Sequence, residues 1–142
     1  MNDYFVFRNG YTARHFNGPE DYAILASLLN ASEAANGSQV VVTTEQMAHT
    51  YEHVQRCDLK TDLLVVLDPA TVPAAYTRVF WDQELTGLRR YGFICHILPE
   101  NRAALTGGML DWIEQRIGAI AAEQAHDGPR CFQTWCENEA GM

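Results

Sequence analysis

The chain has 142 residues, a length that fits one domain and can bury a core without disulfides or metal. Hydrophobic residues make up 47% and charged residues 20%, which excludes a disordered or fibrous chain. Ten basic against eighteen acidic residues leave a net charge of −8, with Lys60 the only lysine, and this speaks against a nucleic-acid or anionic-membrane surface.

Residues 4–8, Asn9-Gly10 and residues 11–16 predict two strands around a two-residue turn, because Asn-Gly tolerates positive φ. Asn17-Gly18-Pro19-Glu20-Asp21 predicts a helix start, with acids favoured at the positive end of the dipole. Tyr22, Leu25, Leu28 and Leu29 then recur at helical spacing to about Asn30, before a break at Gly37-Ser38. Val40-Val41-Val42 is ambiguous. Thr43 and Thr44 can cap a second helix running to about Gln55, with Gln46 or Met47 in its first turn. Apolar, β-branched and aromatic runs at 63–67, 74–82 and 89–98 predict three strands of antiparallel pattern. The period then changes from two to nearly four. Leu105, Met109, Ile113, Ile117 and Ile120 form the stripe of a long helix ended by Asp127-Gly128-Pro129. Residues 130–136 predict a last strand, parallel to 89–98 by a right-handed crossover. The whole is an α+β or mixed α/β layer architecture in a single domain, residues 1–142.

No run of eighteen apolar residues exists, and Met1-Asn2-Asp3-Tyr4 lacks the basic-then-apolar order of a secretory signal. Cys57, Cys95, Cys131 and Cys136 include no C-x-x-C pair, and Cys95 sits in an apolar strand pattern as a small hydrophobe. A reduced, cytoplasmic chain is the expectation. Trp81, Trp112, Trp135, Tyr76, Phe80 and Phe93 are read chiefly as core, although some could line a substrate cleft.

Two segments carry possible chemistry. His49-Thr50-Tyr51-Glu52-His53 matches H-x-x-E-H, in which two histidines one helical turn apart can share a zinc with the glutamate as base. A third ligand should come from a later acidic helix, where Glu114 and Glu123 are the candidates. Both fall on the long helix, so a metal-free surface or substrate-side helix is expected. The second segment is Leu98-Pro99-Glu100-Asn101-Arg102-Ala103-Ala104-Leu105-Thr106-Gly107-Gly108, a glycine-containing turn between strand and helix. Free backbone N–H groups at the positive end of a helix suit a pyrophosphate, although a plain connection would look similar.

This second segment resembles the acetyl-CoA motif of the GCN5-related N-acetyltransferase (GNAT) superfamily: Arg or Gln, two residues, Gly, one residue, then Gly or Ala. Pro99, Arg102 and Gly107 stand at matching offsets, while Leu105 occupies the first glycine position. Residues 11–16 with Gly18-Pro19-Glu20-Asp21, and the runs at 62–67, 75–79 and 90–98, are similar to the family's successive strands and first helix entry. The similarity covers roughly residues 10–142, and most closely the N-terminal part of tandem-type bacterial members.

The resemblance implies a GNAT-like mixed sheet flanked by helices, with its C-terminal closing elements absent. It implies acetyl-CoA as co-substrate and direct attack by an amine, of a small molecule or peptide, in a ternary complex. By position, backbone groups of Ile94, Cys95, His96 and Ile97 would line the pantetheine arm. N–H groups across Arg102, Ala103, Ala104, Leu105, Thr106 and Gly107 would hold the pyrophosphate. The family's thiolate-protonating tyrosine would lie beyond Met142. Candidate bases are Asp82, Glu84 and His96, each of which also has a structural explanation. The alternative is a non-catalytic acyl-CoA-binding or dimerisation module. An uncovered last strand implies a homodimer, or part of a longer tandem chain.

Overall fold

A computed structural model describes residues 4–123, 126 and 128–134. Strands β1 (Tyr4–Val6) and β2 (Thr12–His15) form the opening hairpin, with Phe5 opposite Ala13. The turn is a residue longer than a two-residue loop. Phe7 and Tyr11 still pair, N–H to O at 3.0 Å, and Arg8–Gly10 bridge them. Asn9 (φ 62) and Gly10 (φ 81) take the left-handed conformations that the Asn-Gly pair tolerates.

Helix α1 (Asp21–Ala35) runs five residues past the apolar stripe that marks it in the sequence. It stops where Gly37, at φ 85, allows Gly37 N–H to reach Ala34 O and Ser38 N–H to reach Glu33 O. The Asn30 side chain then clamps both backbone groups of Val42, at 2.8 Å each. Residues 40–42 are therefore loop, with Val40 and Val41 exposed. Helix α2 (Thr44–Glu52) opens on a reciprocal cap between Thr43 and Gln46 and stops short of Gln55. A single helical turn, α3 (Leu59–Asp62), is capped by Asp58 and escapes a reading based on periodicity, being too short to show one.

Strands β3 (Leu63–Leu67), β4 (Pro73–Gln83) and β5 (Arg89–Ile97) follow, then the long helix α4 (Arg102–Glu123) and β6 (Arg130–Thr134). Residues 135 and 136 of the expected last strand lie outside the described residues. The sheet order is β1-β2-β3-β4-β5-β6, antiparallel throughout except for the parallel β5/β6 pair, as the crossover requires.

Alternation along the central strands gives the sheet two apolar faces. Leu63, Val65 and Tyr76 pack with Tyr22, Leu25 and Leu28 of α1 and Met47 and Tyr51 of α2. Leu64, Val66, Ala75 and Ile97 pack on the other face with Leu105 and Met109 of α4. Val79 and Tyr91 meet Ile113, Ile117 and Ile120 farther along the same helix. The predicted stripe of α4 is thus the buried one. Among the described residues no helix is long and apolar enough to cross a membrane.

Candidate functional site

β5 runs directly into the start of α4 through a short 3-10 turn, Pro99–Asn101. Three contacts fix that turn. Leu98 N–H reaches Ala74 O at 3.0 Å, Tyr11 Oη donates to Asn101 Oδ1 at 2.6 Å, and Arg102 Nη2 donates to Asn36 Oδ1 at 3.1 Å. The start of α4 is thereby held against both β2 and the end of α1.

Helix α4 already begins at Arg102, so the N–H groups of Thr106 and Gly107 have acceptors one turn back. Arg102 N–H is taken by Pro99 O. Leu105 N–H in turn has Asn101 O one turn back, so the donors that this helix start leaves over are those of residues 103 and 104. Leu105, at the family's glycine position, sends its side chain inward and is fully buried against Ala13, Val66 and Met109. Besides half-buried Arg102, held by Asn36, the solvent side of these two turns carries Ala103, Ala104, Thr106 and Gly107, with Ala104 partly covered. Small side chains there leave backbone within reach of a phosphate.

The two adjacent glycines differ. A Cβ on Gly107 would meet nothing within 4 Å, whereas one on Gly108 would lie 2.6 Å from Phe7 Cδ1. Gly107→Ala should stabilise the protein by about 0.5–1 kcal/mol through helix propensity. Gly108→Ala should destabilise it by about 1–3 kcal/mol through overpacking, partly offset by that gain. Urea unfolding midpoints of the two variants should move in opposite directions.

Ile94, Cys95 and His96 are only half-buried although they lie in mid-sheet. Their β4 partners are Arg78, Thr77 and Tyr76, and Thr77 Oγ1 donates to Ile94 O at 2.6 Å. On the other side the described pairing with β6 ends at Phe93, opposite Thr134. The faces alternate. Cys95 looks toward α4, and burial pushes its thiol up to about 11, so it carries little thiolate at neutral pH. His96 looks the other way, its ring 5.3 Å from that of Tyr76 and its Nδ1 3.9 Å from Glu33 Oε1 of α1. Burial lowers its pKa, which keeps the imidazole neutral and able to accept a proton near pH 7.

Asp82 and Glu84 stand at the opposite end of the β4–β5 hairpin, both paired with Arg90, at 3.0 and 3.2 Å. Arg90 precedes Ile94 by four residues, about 13 Å along a strand. Of the three candidate bases, the fold brings only His96 to the Ile94–Ile97 segment.

His49 and His53 lie at the end of α2 with their rings edge to face, centroids 4.7 Å apart. Among the described residues no group of three or more His, Cys, Asp or Glu is placed to hold a metal. Trp81 and Trp112 pack as partly buried members of the α4-side core. Trp135 and Cys136 lie outside the described residues.

No protein-family model matches the chain, and no curated protein matches it significantly. Solved structures do. A GCN5-related N-acetyltransferase from Sphaerobacter thermophilus superposes with TM-score 0.63 at 22% identity, over 80% of this chain and 34% of that one. This chain has the GNAT fold. Glucosamine-6-phosphate N-acetyltransferase from Arabidopsis thaliana gives TM-score 0.59 at 11% identity, over 91% of this chain and 84% of that one. A Trypanosoma brucei acetyltransferase gives 0.53 at 11%, over the same shares. The chain spans about a third of the length of the Sphaerobacter protein, so the GNAT unit here is similar to part of a longer member.

Sequence reasoning missed Glu33, Tyr76 and Arg78 as neighbours of His96. The period-two row Tyr76, Arg78, Phe80 was the available signal, because an arginine inside an apolar strand needs an explanation.

Proposed function

We infer that the chain is an acetyl-CoA-dependent N-acetyltransferase-like domain acting on the amine of a small molecule or peptide. The carrying observation is that, in a GNAT fold, the half-buried residues Ile94, Cys95 and His96 lead into a helix start whose exposed positions, Ala103, Thr106 and Gly107, are small. Those residues fit a coenzyme A. Backbone groups of Ile94, Cys95, His96 and Ile97 would hold its pantetheine arm, and the N–H groups of residues 103 and 104 its pyrophosphate. Bound acetyl-CoA would supply an activated thioester. His96 Nε2 would take the proton that the amine must lose, with Glu33 Oε1 facing the other ring nitrogen at 3.9 Å. The binding turn is narrower than the six residues from Arg102 to Gly107, since Thr106 and Gly107 spend their N–H groups inside α4.

The second reading, an acyl-CoA-binding or dimerisation module without catalysis, is favoured by Leu105. Its side chain commits the motif's first glycine position to the core. Calorimetric titration with acetyl-CoA, beside thiol-release assays on a panel of amines, separates the two. Binding with turnover supports the transferase, and a His96→Gln variant should then lose about 10²–10⁴-fold in rate with unchanged cofactor affinity. Binding without turnover supports the module. No binding overturns the transferase and the acyl-CoA-binding module and leaves only dimerisation.

Association belongs to the same proposal. Among the described residues β6 is the last strand of the sheet, and Phe132 on it is 54% exposed. Pairing of two chains, or with the rest of a longer chain, would cover that strand. Light scattering should report twice 16.0 kDa for the isolated chain, and a monomer would leave only the longer-chain form.

A further inference from the structure

In this acidic chain three half-buried arginines face carboxylates. Arg14 meets Asp21 at 2.8 Å, Arg116 meets Asp62 at 2.7 Å, and Arg90 meets Asp82 and Glu84. Arg78 does not. Its guanidinium carbon lies 5.1 Å from the Tyr51 ring and 5.0 Å from the Phe80 ring, and no carboxylate of the described residues is within ion-pair distance. Its Nε is fully enclosed without a hydrogen-bond partner, while the residue as a whole stays partly exposed. Asp58 and Asp62, on the adjoining α3 turn, are engaged elsewhere. Asp58 caps Lys60 N–H at 3.0 Å, and Asp62 holds Arg116.

An arginine cannot lose its proton, so a partly desolvated guanidinium without an anion is a standing cost to the fold. The cost is removed when a planar carboxylate meets the guanidinium fork. Tyr76, wholly buried on the same face, leaves a second orphan, its hydroxyl.

The position of this cation matters for the chemistry. Arg78 lies opposite Ile94 and Tyr76 opposite His96, so Arg78 and His96 are diagonal neighbours on one face of the sheet. Their backbones are separated by about 7–8 Å, a span that one small molecule can bridge. Resting on the transferase reading above, we propose that the acceptor is an amine that also carries a carboxylate. The carboxylate sits on Arg78 and the amine points at His96. A phosphate is the poorer fit, because Arg14 of the same face is held by Asp21 and Lys60, the only lysine, lies in α3.

The test uses the whole chain, ¹⁵N-labelled, and the Nε–Hε resonance of Arg78, assigned by its loss in Arg78→Lys. L-amino acids, the matching α-amides and O-phosphoethanolamine are titrated in turn, with and without coenzyme A. At least one free amino acid should shift the resonance saturably. Its amide should bind at least about tenfold more weakly, and so should the same acid with Arg78→Lys, followed there by backbone amide shifts, as the loss of a charge-assisted pair requires. The acid–amide comparison needs only the unaltered protein, so misfolding of the variant would not blunt it. The proposal is overturned if no acid moves the resonance, if acid and amide bind alike, or if only the phosphate compound binds. Acid binding without coenzyme A in a chain that never takes acetyl-CoA would refute the transferase reading alone.

Discussion

Restoring the family's glycine by Leu105→Gly is expected to cost about 3–6 kcal/mol. The Leu105 side chain is fully buried between the sheet and α4, with Ala13, Val66, Ile97 and Met109 around it. Truncating such a leucine to alanine costs about 2–5 kcal/mol in lost transfer energy and cavity. A glycine in the first helical turns adds about 0.5–1 kcal/mol of backbone entropy. Against a total stability of about 5–15 kcal/mol, the variant would sit near the edge of folding. Thermal unfolding followed by far-UV circular dichroism should show a fall of roughly 10–20 °C. A fall of only a degree or two would mean that the side chain does not occupy the core. Departure from the motif here is thus a structural commitment: this fold has filled the position where the motif leaves space. A cofactor at this turn must be held by the outer side of the helix and cannot depend on a bare glycine at 105.

The sheet was legible because each central strand announces itself chemically. Residues 63–67 are continuously apolar, and β3 is buried on both faces. Residues 74–82 are rich in aromatic and β-branched residues, and both sides find a helix. The parallel β5/β6 pair followed from a strand–helix–strand order that leaves one handed solution. Local side-chain hydrogen bonds were less legible. Asn30 holding Val42 as loop, and Asp58 capping one turn of helix, act through single residues that no periodicity records. The site was read in part. Its backbone half follows from strand, turn and helix in succession. The face beneath α1 and α2 depends on which residues cross-strand register brings together, and that is set by the whole sheet. Asp82 and Glu84 show the difference. They look like free acids in sequence, but an antiparallel hairpin places Arg90 between them.

The second large effect is expected at Asp21. The carboxylate is almost wholly buried and takes a two-pronged hydrogen bond from Arg14, 2.8 Å on each arm, together with the Asn17 N–H at 2.7 Å. These contacts tie β2, the loop after it and the first turn of α1 into one corner. Glu20, the residue preceding the helix, makes no side-chain cap of its own. Asp21→Ala should cost about 3–5 kcal/mol, because it strands a buried guanidinium. Replacing the pair together with apolar residues should cost much less than the single change, since the stranded charge disappears with its partner. The pH dependence has a definite sign. Burial pushes the Asp21 carboxyl up, but the Arg14 hydrogen bonds, the Asn17 N–H and the Arg14 charge together outweigh it and hold the pKa below the usual 3.8. A carboxyl lowered in the folded state contributes stability that is complete above its unfolded pKa and lost as pH falls through the folded one. Urea unfolding of the unaltered protein should therefore weaken more steeply below about pH 4 than that of Asp21→Ala. Parallel acid limbs would show that this corner does not hold the carboxylate charged.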